Sequence, residues 1–432
     1  MGLTKTFKDG SSPTPELGGT WWSNTCPNVA CDVKSIDYAF SFEPNYDWSS
    51  SYAGGAEIWD YLRRVARKHH LYDKIRFRTE ITHIEWDDGR QKWVLDYINL
   101  STGDQGRYEA DIVFAGMGPL RIPKIPKEFE AFEGPKCHTA HAIQVVPGIV
   151  NTVKHLDYYQ RTASYVVPRR NVPTNALWKF LFRYMPFFHF IVYKLQYWAS
   201  EYTIAAFSTK LIDRIPRLVM TAMAWLFRRI QIRNTQLRKK LTPKYEMGCR
   251  RIVVSSDYYP ALARKNVDVH TEEITGVKGN SILLKDGTSQ EVDVLVLATG
   301  FHVQNILPSR FMIGKDGADV KTSWGTNPQT YYGLTSPETP NMFFLLGPNI
   351  GLGHNSVLFM VETQVEYALK AISHMMKHDL TTLEVTSQAC RDFADEVDEK
   401  MKGMVWSTMC NSWYQNKQGR VTALWWSSCS HY

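Results

Sequence analysis

Two short stretches of this chain carry the same arrangement of residue types. Asp111–Gly118 (DIVFAGMG) and Asp293–Gly300 (DVLVLATG) each open on an acidic residue, run through apolar strand formers and end in small residues. Small side chains after a buried strand let backbone pass close to a bound nucleotide. The second stretch continues into Phe301, so Glu291–Phe301 reads EVDVLVLATGF. The last strand of a dinucleotide-binding domain often closes this way. Each motif alone also describes a plain buried strand ending at a glycine turn. The two in order point to two nucleotide-domain closures, and so to nucleotide-dependent redox chemistry.

Such a site needs a helix N-terminus behind a tight glycine turn, where backbone N–H groups meet a pyrophosphate. No GxGxxG stands upstream of either strand. Gly116-Met117-Gly118 leads into Pro119, Pro123 and Pro126, which oppose a regular helix there. Gly351–Ser356 (GLGHNS) comes after a strand-like run, Asn341–Leu346, and precedes a helical segment reaching about Met376. It is placed to offer N–H groups to a cofactor, and it reads equally as a capping turn. His354 sits inside it. No carboxylate partner is assignable from sequence, so His354 is taken as a packing or cofactor-proximal residue rather than a base.

The elements that must hold these residues are set by periodicity. Glu57–His69 predicts an amphipathic helix. Ile75–Phe77, Thr79–Trp86 and Lys92–Asn99 predict strands, with a turn near Asp87-Asp88-Gly89. Tyr108–Gly118 predicts one further strand. Residues 171–245 predict a helical insert rich in aromatic and basic side chains. Its most apolar parts, Met185–Leu195 and Leu218–Phe227, are too short to span a bilayer. They are expected in the core, with peripheral membrane contact left open. Strands are also expected at Arg251–Ser255, Val267–His270 and Ser281–Leu284. Residues 1–16 predict a turn-rich, displaced start.

Composition fits a globular protein with a sizeable core: 432 residues, 44% hydrophobic, 22% charged, with 14 Trp, 22 Tyr and 20 Phe. Net charge is +7. The basic run from Arg214 to Arg251 has no nucleic-acid motif beside it; a solvated helix face or attraction of an anionic cofactor explains it. Seven cysteines at irregular spacing, with no CxxC, predict reduced thiols, a cytoplasmic protein and no metal site.

Taken together, Leu17–Trp22 (LGGTWW), Cys31–Ser35 with Tyr38 and Phe42, Gly248–Arg251 (GCRR), Asp257–Tyr259, Ala298–Phe301 and Gly347–Ser356 resemble class B flavoprotein monooxygenases of the Baeyer–Villiger type. The resemblance covers about residues 16–170 and 240–376. It implies FAD, NADPH and O₂, and conversion of a ketone to an ester or lactone through a flavin peroxide. The implied fold is α/β: two dinucleotide-binding, Rossmann-like domains, both incomplete, with a helical insertion. The FAD-binding part takes 1–140. The NADPH-binding part takes 141–300, with the insert at about 171–245. The chain returns to the FAD domain and a C-terminal tail over 301–432.

The family's FAD glycine loop is expected before Leu17, where sixteen unrelated residues stand. Phe132, Gly134 and His138 fit the family fingerprint FxGxxxHxxxW, but Ala142 holds the tryptophan position. Ile143–Pro147 (IQVVP) then resembles the stretch just after the family's second glycine loop, so a strand and most of that loop are missing near His141–Ala142. By the same resemblance, Arg251 stabilises the negative peroxide and the developing oxyanion, and Asp32 orients it. Arg161, Thr162 and Arg250 meet the NADPH 2′-phosphate. Gly19, Thr20, Trp21, Asp32 and Tyr38 line FAD, and Gly347, Asn355 and Ser356 approach the flavin. The aromatic stretch Trp178–Trp198 suggests a bulky hydrophobic ketone, such as a polyketide of secondary metabolism. Two alternatives stand beside this: a related N- or S-oxygenating flavin enzyme, and a non-catalytic remnant or scaffold that binds no flavin.

Overall fold

The computed structural model describes residues 15–139, 141–210, 213–304, 307–408 and 412–432. The turn-rich start expected over 1–16 thus lies, up to residue 14, outside the described residues.

Gly18 and Gly19, both at positive φ, lead into a single turn, α1 (Thr20–Ser23). Helix α2 (Gly55–Lys68) buries Ile58, Tyr61 and Val65 on one face, with Glu57 in its first turn and Arg67 and Lys68 in its last. Those charges complement the helix dipole. Next comes an antiparallel meander: β1 (Thr79–Asp87), β2 (Lys92–Asn99) and β3 (Gln105–Ala110). Trp86 opposes Trp93 across its buried face at 5.5 Å between rings. Two strand expectations are corrected here. Ile75–Phe77 forms no strand, because Arg78 at φ 51° turns the chain. Tyr108–Gly118 is not one strand: β3 ends at Ala110, and β4 (Val113–Ala115) pairs in parallel elsewhere.

The chain continues through β5 (Lys136–His138), α3 (Ala142–Ile149), β6 (Leu156–Tyr159) and β7 (Val166–Val167). The insert is helical, with α4 (Ala176–Tyr184), α5 (Pro186–Tyr202), α6 (Arg214–Gln231) and α7 (Thr235–Lys240). Then come β8 (Val253–Val254), α8 (Tyr258–Leu262), β9 (Val267–His270), and a second meander of β10 (Ile274–Lys278), β11 (Ser281–Leu284) and β12 (Ser289–Glu291). The last elements are β13 (Leu295–Leu297), β14 (Met312–Ile313), α9 (Val320–Trp324), β15 (Met342–Phe344), α10 (Val357–Lys377) and α11 (Ser387–Met401).

The parallel strands occur mainly as isolated pairs: β4 with β15, β5 with β13, β6 with β9, and β7 with β8. β14 adds to the edge of the first meander. The architecture is mixed α/β, with two incomplete Rossmann-like units. Both acid-led motifs of the sequence become parallel strands, β4 and β13, each in a different pair.

Burial overturns one expectation about the insert. Phe187 and Leu195, from the first apolar run, are 75% and 67% exposed, and Leu218, from the second, is 65% exposed. The core lies elsewhere. Its largest cluster is built by Ile350, Met360, Phe393, Trp406, Tyr414 and Trp425, most of them from the C-terminal part of the chain. The thiols also differ in part from expectation. Cys26, Cys31, Cys137, Cys390 and Cys429 are free and buried, whereas Cys249 is disulfide-bonded.

Candidate functional site

Asp32 and Arg251 are 219 residues apart in sequence, and the fold joins them: Arg251 Nη2 donates to Asp32 Oδ2 at 2.9 Å. Arg251 comes after the tight Gly248 turn at φ 94°, just before β8. Asp32 sits on the loop after Cys31, whose N–H donates to Ala53 O. The Asp32 side chain is 18% exposed and that of Arg251 41%, so the carboxylate is anchored inside while the guanidinium keeps an open side.

Three further residues frame the pair, none of them assigned a role from sequence. Gln144, one turn into α3, donates through Nε2 to Asp32 Oδ1 at 3.4 Å and to Ala30 O at 2.8 Å. Both carboxylate oxygens of Asp32 are therefore engaged. His141, the N-cap residue of α3, has its pKa lowered by burial and by the charge of Arg251, with Asp32 opposing. It stays neutral beside the guanidinium. Burial pushes the Tyr414 phenol up to about 12 against the pull of Arg251. The sequence signal for Gln144 was present in the IQVVP run. His141 and Tyr414 carried none.

The other expected residues occupy separate places. Gly19 caps α1 at φ 50°, and Thr20 O accepts from the Asn24 N–H. Trp21 Nε1 donates to the Tyr38 hydroxyl at 3.1 Å, with the rings edge-on at 5.7 Å. Arg161 and Thr162 stand exposed just beyond the C-terminal end of β6. The Arg250 guanidinium lies 5.1 Å over the Tyr245 ring.

The glycine-rich turn before α10 is more enclosed than its sequence suggested. Ser356 caps α10 by accepting from the Leu358 N–H, and it is fully buried. Asn355 Nδ2 donates to Glu201 Oε1 at 2.8 Å, and His354 Nε2 lies 3.3 Å from the same oxygen. The carboxylate partner that sequence could not assign to His354 is thus Glu201, at the end of α5. Burial raises the Glu201 pKa, but His354, Asn355, the Ser430 N–H and Cys429 outweigh it and hold the carboxyl well below its ordinary value. Gly347 packs against backbone: a Cβ there would sit 2.2 Å from Gly333 O.

A separate small cleft opens at the C-terminal ends of β5 and β13. Cys26, Arg121, His138, Thr139, Gly300 and Phe301 line it. Parallel α/β sheets bind ligands outside the carboxyl ends of their strands, and Gly300, Phe301 and the fingerprint residue His138 meet there.

No family model matches the chain. It is 35% identical over 436 residues to a Baeyer-Villiger monooxygenase of Pseudomonas aeruginosa, covering 95% of this chain and 81% of that protein. It is 30% identical over 449 residues to the FAD-binding monooxygenase ktnD of Aspergillus niger, covering 96% and 73%. The fold superposes with TM-score 0.80 on oxidized steroid monooxygenase bound to NADP, at 24% identity, over 97% of this chain and 90% of that one. The chain belongs to the Baeyer–Villiger monooxygenase family, the class B flavoprotein monooxygenases that work with FAD and NADPH.

Proposed function

We propose that the chain oxidises a hydrophobic ketone to an ester or lactone, with Arg251 as the group that meets developing negative charge. The overall reaction is ketone, O₂, NADPH and H⁺ to ester, NADP⁺ and water. One oxygen atom enters the C–C bond beside the carbonyl, and the other leaves as water. The observation that carries this reading is the Arg251–Asp32 pair at 2.9 Å, with the Arg251 side chain 41% exposed.

The residues present fit both cofactors. An exposed arginine beyond the second parallel strand of a Rossmann unit suits a 2′-phosphate, which is the place of Arg161. Thr162 and Arg250 complete that recognition set. The small cleft beside Gly300 and His138 lies at the strand ends, where a nucleotide would reach, and by the family resemblance Gly19, Thr20, Trp21, Asp32 and Tyr38 would line FAD. Gly347, Asn355 and Ser356 would approach the flavin from a closely packed turn. When bound, the flavin supplies oxygen activation and NADPH supplies the reducing hydride.

The chain's own residues then do three things. Asp32, held at its second oxygen by Gln144, fixes one edge of the guanidinium. Arg251 would meet negative charge that develops on oxygen with its further N–H donors, and a preorganised cation costs no reorganisation there. His141, kept neutral, does not compete for Asp32.

A ketone rather than an amine is the better substrate, because a fixed cation favours the anionic oxidant that attacks carbonyls. The aromatic content supports a bulky, apolar ketone in secondary metabolism, and the free buried thiols support a cytoplasmic setting. The test is product analysis with added FAD and NADPH, offering a cyclic ketone and a tertiary amine. Ester without N-oxide supports the assignment. N-oxide alone would move the protein to the N-oxygenating relatives. A second reading, a non-catalytic relative, draws on the isolated two-stranded sheets. A colourless protein that stays inactive with both cofactors added would establish it.

A further inference from the structure

Helix α6 is folded with its apolar side outward. Its buried residues are Arg217, Ala224 and Arg228. Leu218, Val219, Trp225, Leu226 and Ile230 are each 50% or more exposed. At about 100° per residue, Val219, Leu226 and Ile230 fall on the face opposite the two arginines, with Leu218 and Trp225 on the flank. Of the inward arginines, Arg217 pairs with Glu246 at 3.0 Å, and the charge of Arg228 acts on the nearby Tyr259 phenol. The orientation is therefore held by specific contacts.

Helix α5 also leaves large apolar side chains exposed. Glu201 is its one buried residue, while Phe187, Phe190, Leu195 and Trp198 are more than half exposed. Lys194 Nζ lies 5.5 to 5.8 Å over the rings of Phe190, Tyr193 and Tyr197. A long cationic side chain drawn along an aromatic surface is how lysine reaches a polar boundary. Patches this apolar mark protein or membrane contacts.

Charge decides the occupant. Residues 171–240 contain 12 Lys and Arg against 2 Asp and Glu, and one of the two acids is the buried Glu201. A second copy would oppose two surfaces of the same sign. A lipid surface with anionic headgroups takes both the aromatic and the basic parts. No helix among the described residues is long and apolar enough to cross a membrane, so the fit is in-plane. We propose that α5 and α6 dock on a bilayer surface that carries anionic lipid, with their apolar faces in the headgroup boundary and Lys194, Lys210, Arg214 and Arg229 at the phosphates.

The test is co-sedimentation of the full chain with phosphatidylcholine vesicles and with vesicles that also contain phosphatidylserine. Binding to the second kind, weakened by salt, is expected. The double variant Leu218→Glu/Trp225→Glu changes only exposed side chains, so its circular dichroism and Tm should match the parent. Its partitioning should fall roughly tenfold or more, since one buried side chain of that size is worth at least a decade. No binding to either vesicle would overturn the assignment. So would equal binding by the variant, or a parent dimer that the variant dissociates.

Discussion

Asp37 offers a quantitative test of how the insert is attached. It lies in a short 3₁₀ turn, Ser35–Asp37, that packs on α5, and it is fully buried. Neither carboxylate oxygen has a hydrogen-bond partner. Burial raises its pKa from the ordinary 3.8 to about 7, offset only in part by Gln196, Lys34 and Ser200 nearby. The folded chain thus keeps a proton that the unfolded chain has already lost. Linkage gives the sign: stability falls as pH rises from about 4 to about 7, and the whole penalty is present above that window. The gap between 3.8 and about 7, at 1.36 kcal/mol per pH unit, is on the order of 4 kcal/mol. Asp37→Asn removes the charge and keeps the shape. Urea unfolding at pH 5 and pH 8 should then show the variant's advantage over the parent growing by about 2–3 kcal/mol between the two, since roughly a third of the penalty is already present at pH 5. Parallel pH curves for the two proteins would refute the reasoning, because they would mean that Asp37 titrates alike folded and unfolded.

Three other expectations concern the site. Arg251→Ala should lower the rate of ester formation by about 10²–10³, the usual effect of removing one electrostatic stabiliser. Arg251→Lys should recover little of it, since an ammonium cannot hold Asp32 and the reacting oxygens with one planar fork; single-turnover product assays check both. Arg161→Ala should raise KM for NADPH roughly tenfold or more and leave KM for NADH nearly unchanged, read by steady-state kinetics with each coenzyme. Gly347→Ala should lower Tm by several degrees, because its Cβ would fall 2.2 Å from the Gly333 carbonyl oxygen and backbone cannot step aside cheaply; thermal melts of apo protein separate this from any loss of flavin.

The sequence was readable where local pattern and burial agree. Helix α2 forms within two residues of the run Glu57–His69, and β1, β2, β9 and β11 stand where alternation put them. Pattern failed where direction matters. Nothing in Tyr108–Gly118 reveals that the chain leaves an antiparallel meander at Ala110 and joins a parallel pair at Val113. It failed again in the insert, where apolar residues were equated with core. The contrary signal was present: two arginines recur at positions 217 and 228 on the face opposite Val219, Leu226 and Ile230, and only tertiary partners such as Glu246 tell which face turns inward. The Asp32–Arg251 pair came from the family resemblance. No local property of either residue points across 219 positions.

The isolated parallel pairs shift the weight of the fold elsewhere. A two-stranded pair is not stable alone, and parallel strands need both faces covered. In this chain α3 and α8 cover β6, β7 and β9, and the first meander covers β4 and β15; the segment after α11, which the sequence left without a role, builds a core of its own. Trp406, Tyr414, Leu424 and Trp425 pack on Ile350 and Met360 at the start of α10. The Ser430 N–H and hydroxyl both reach Glu201 Oε2, on the acid that also takes His354 and Asn355. One buried carboxylate therefore ties the insert, the glycine-rich turn and the C-terminal tail into a single joint. Because its pKa is held low by those donors, the joint contributes fully above the ordinary glutamate range and weakens as pH falls through it. The tail and the redox motif are thus mechanically coupled, and an acid-induced loosening of the protein should begin at the tail rather than at the meander.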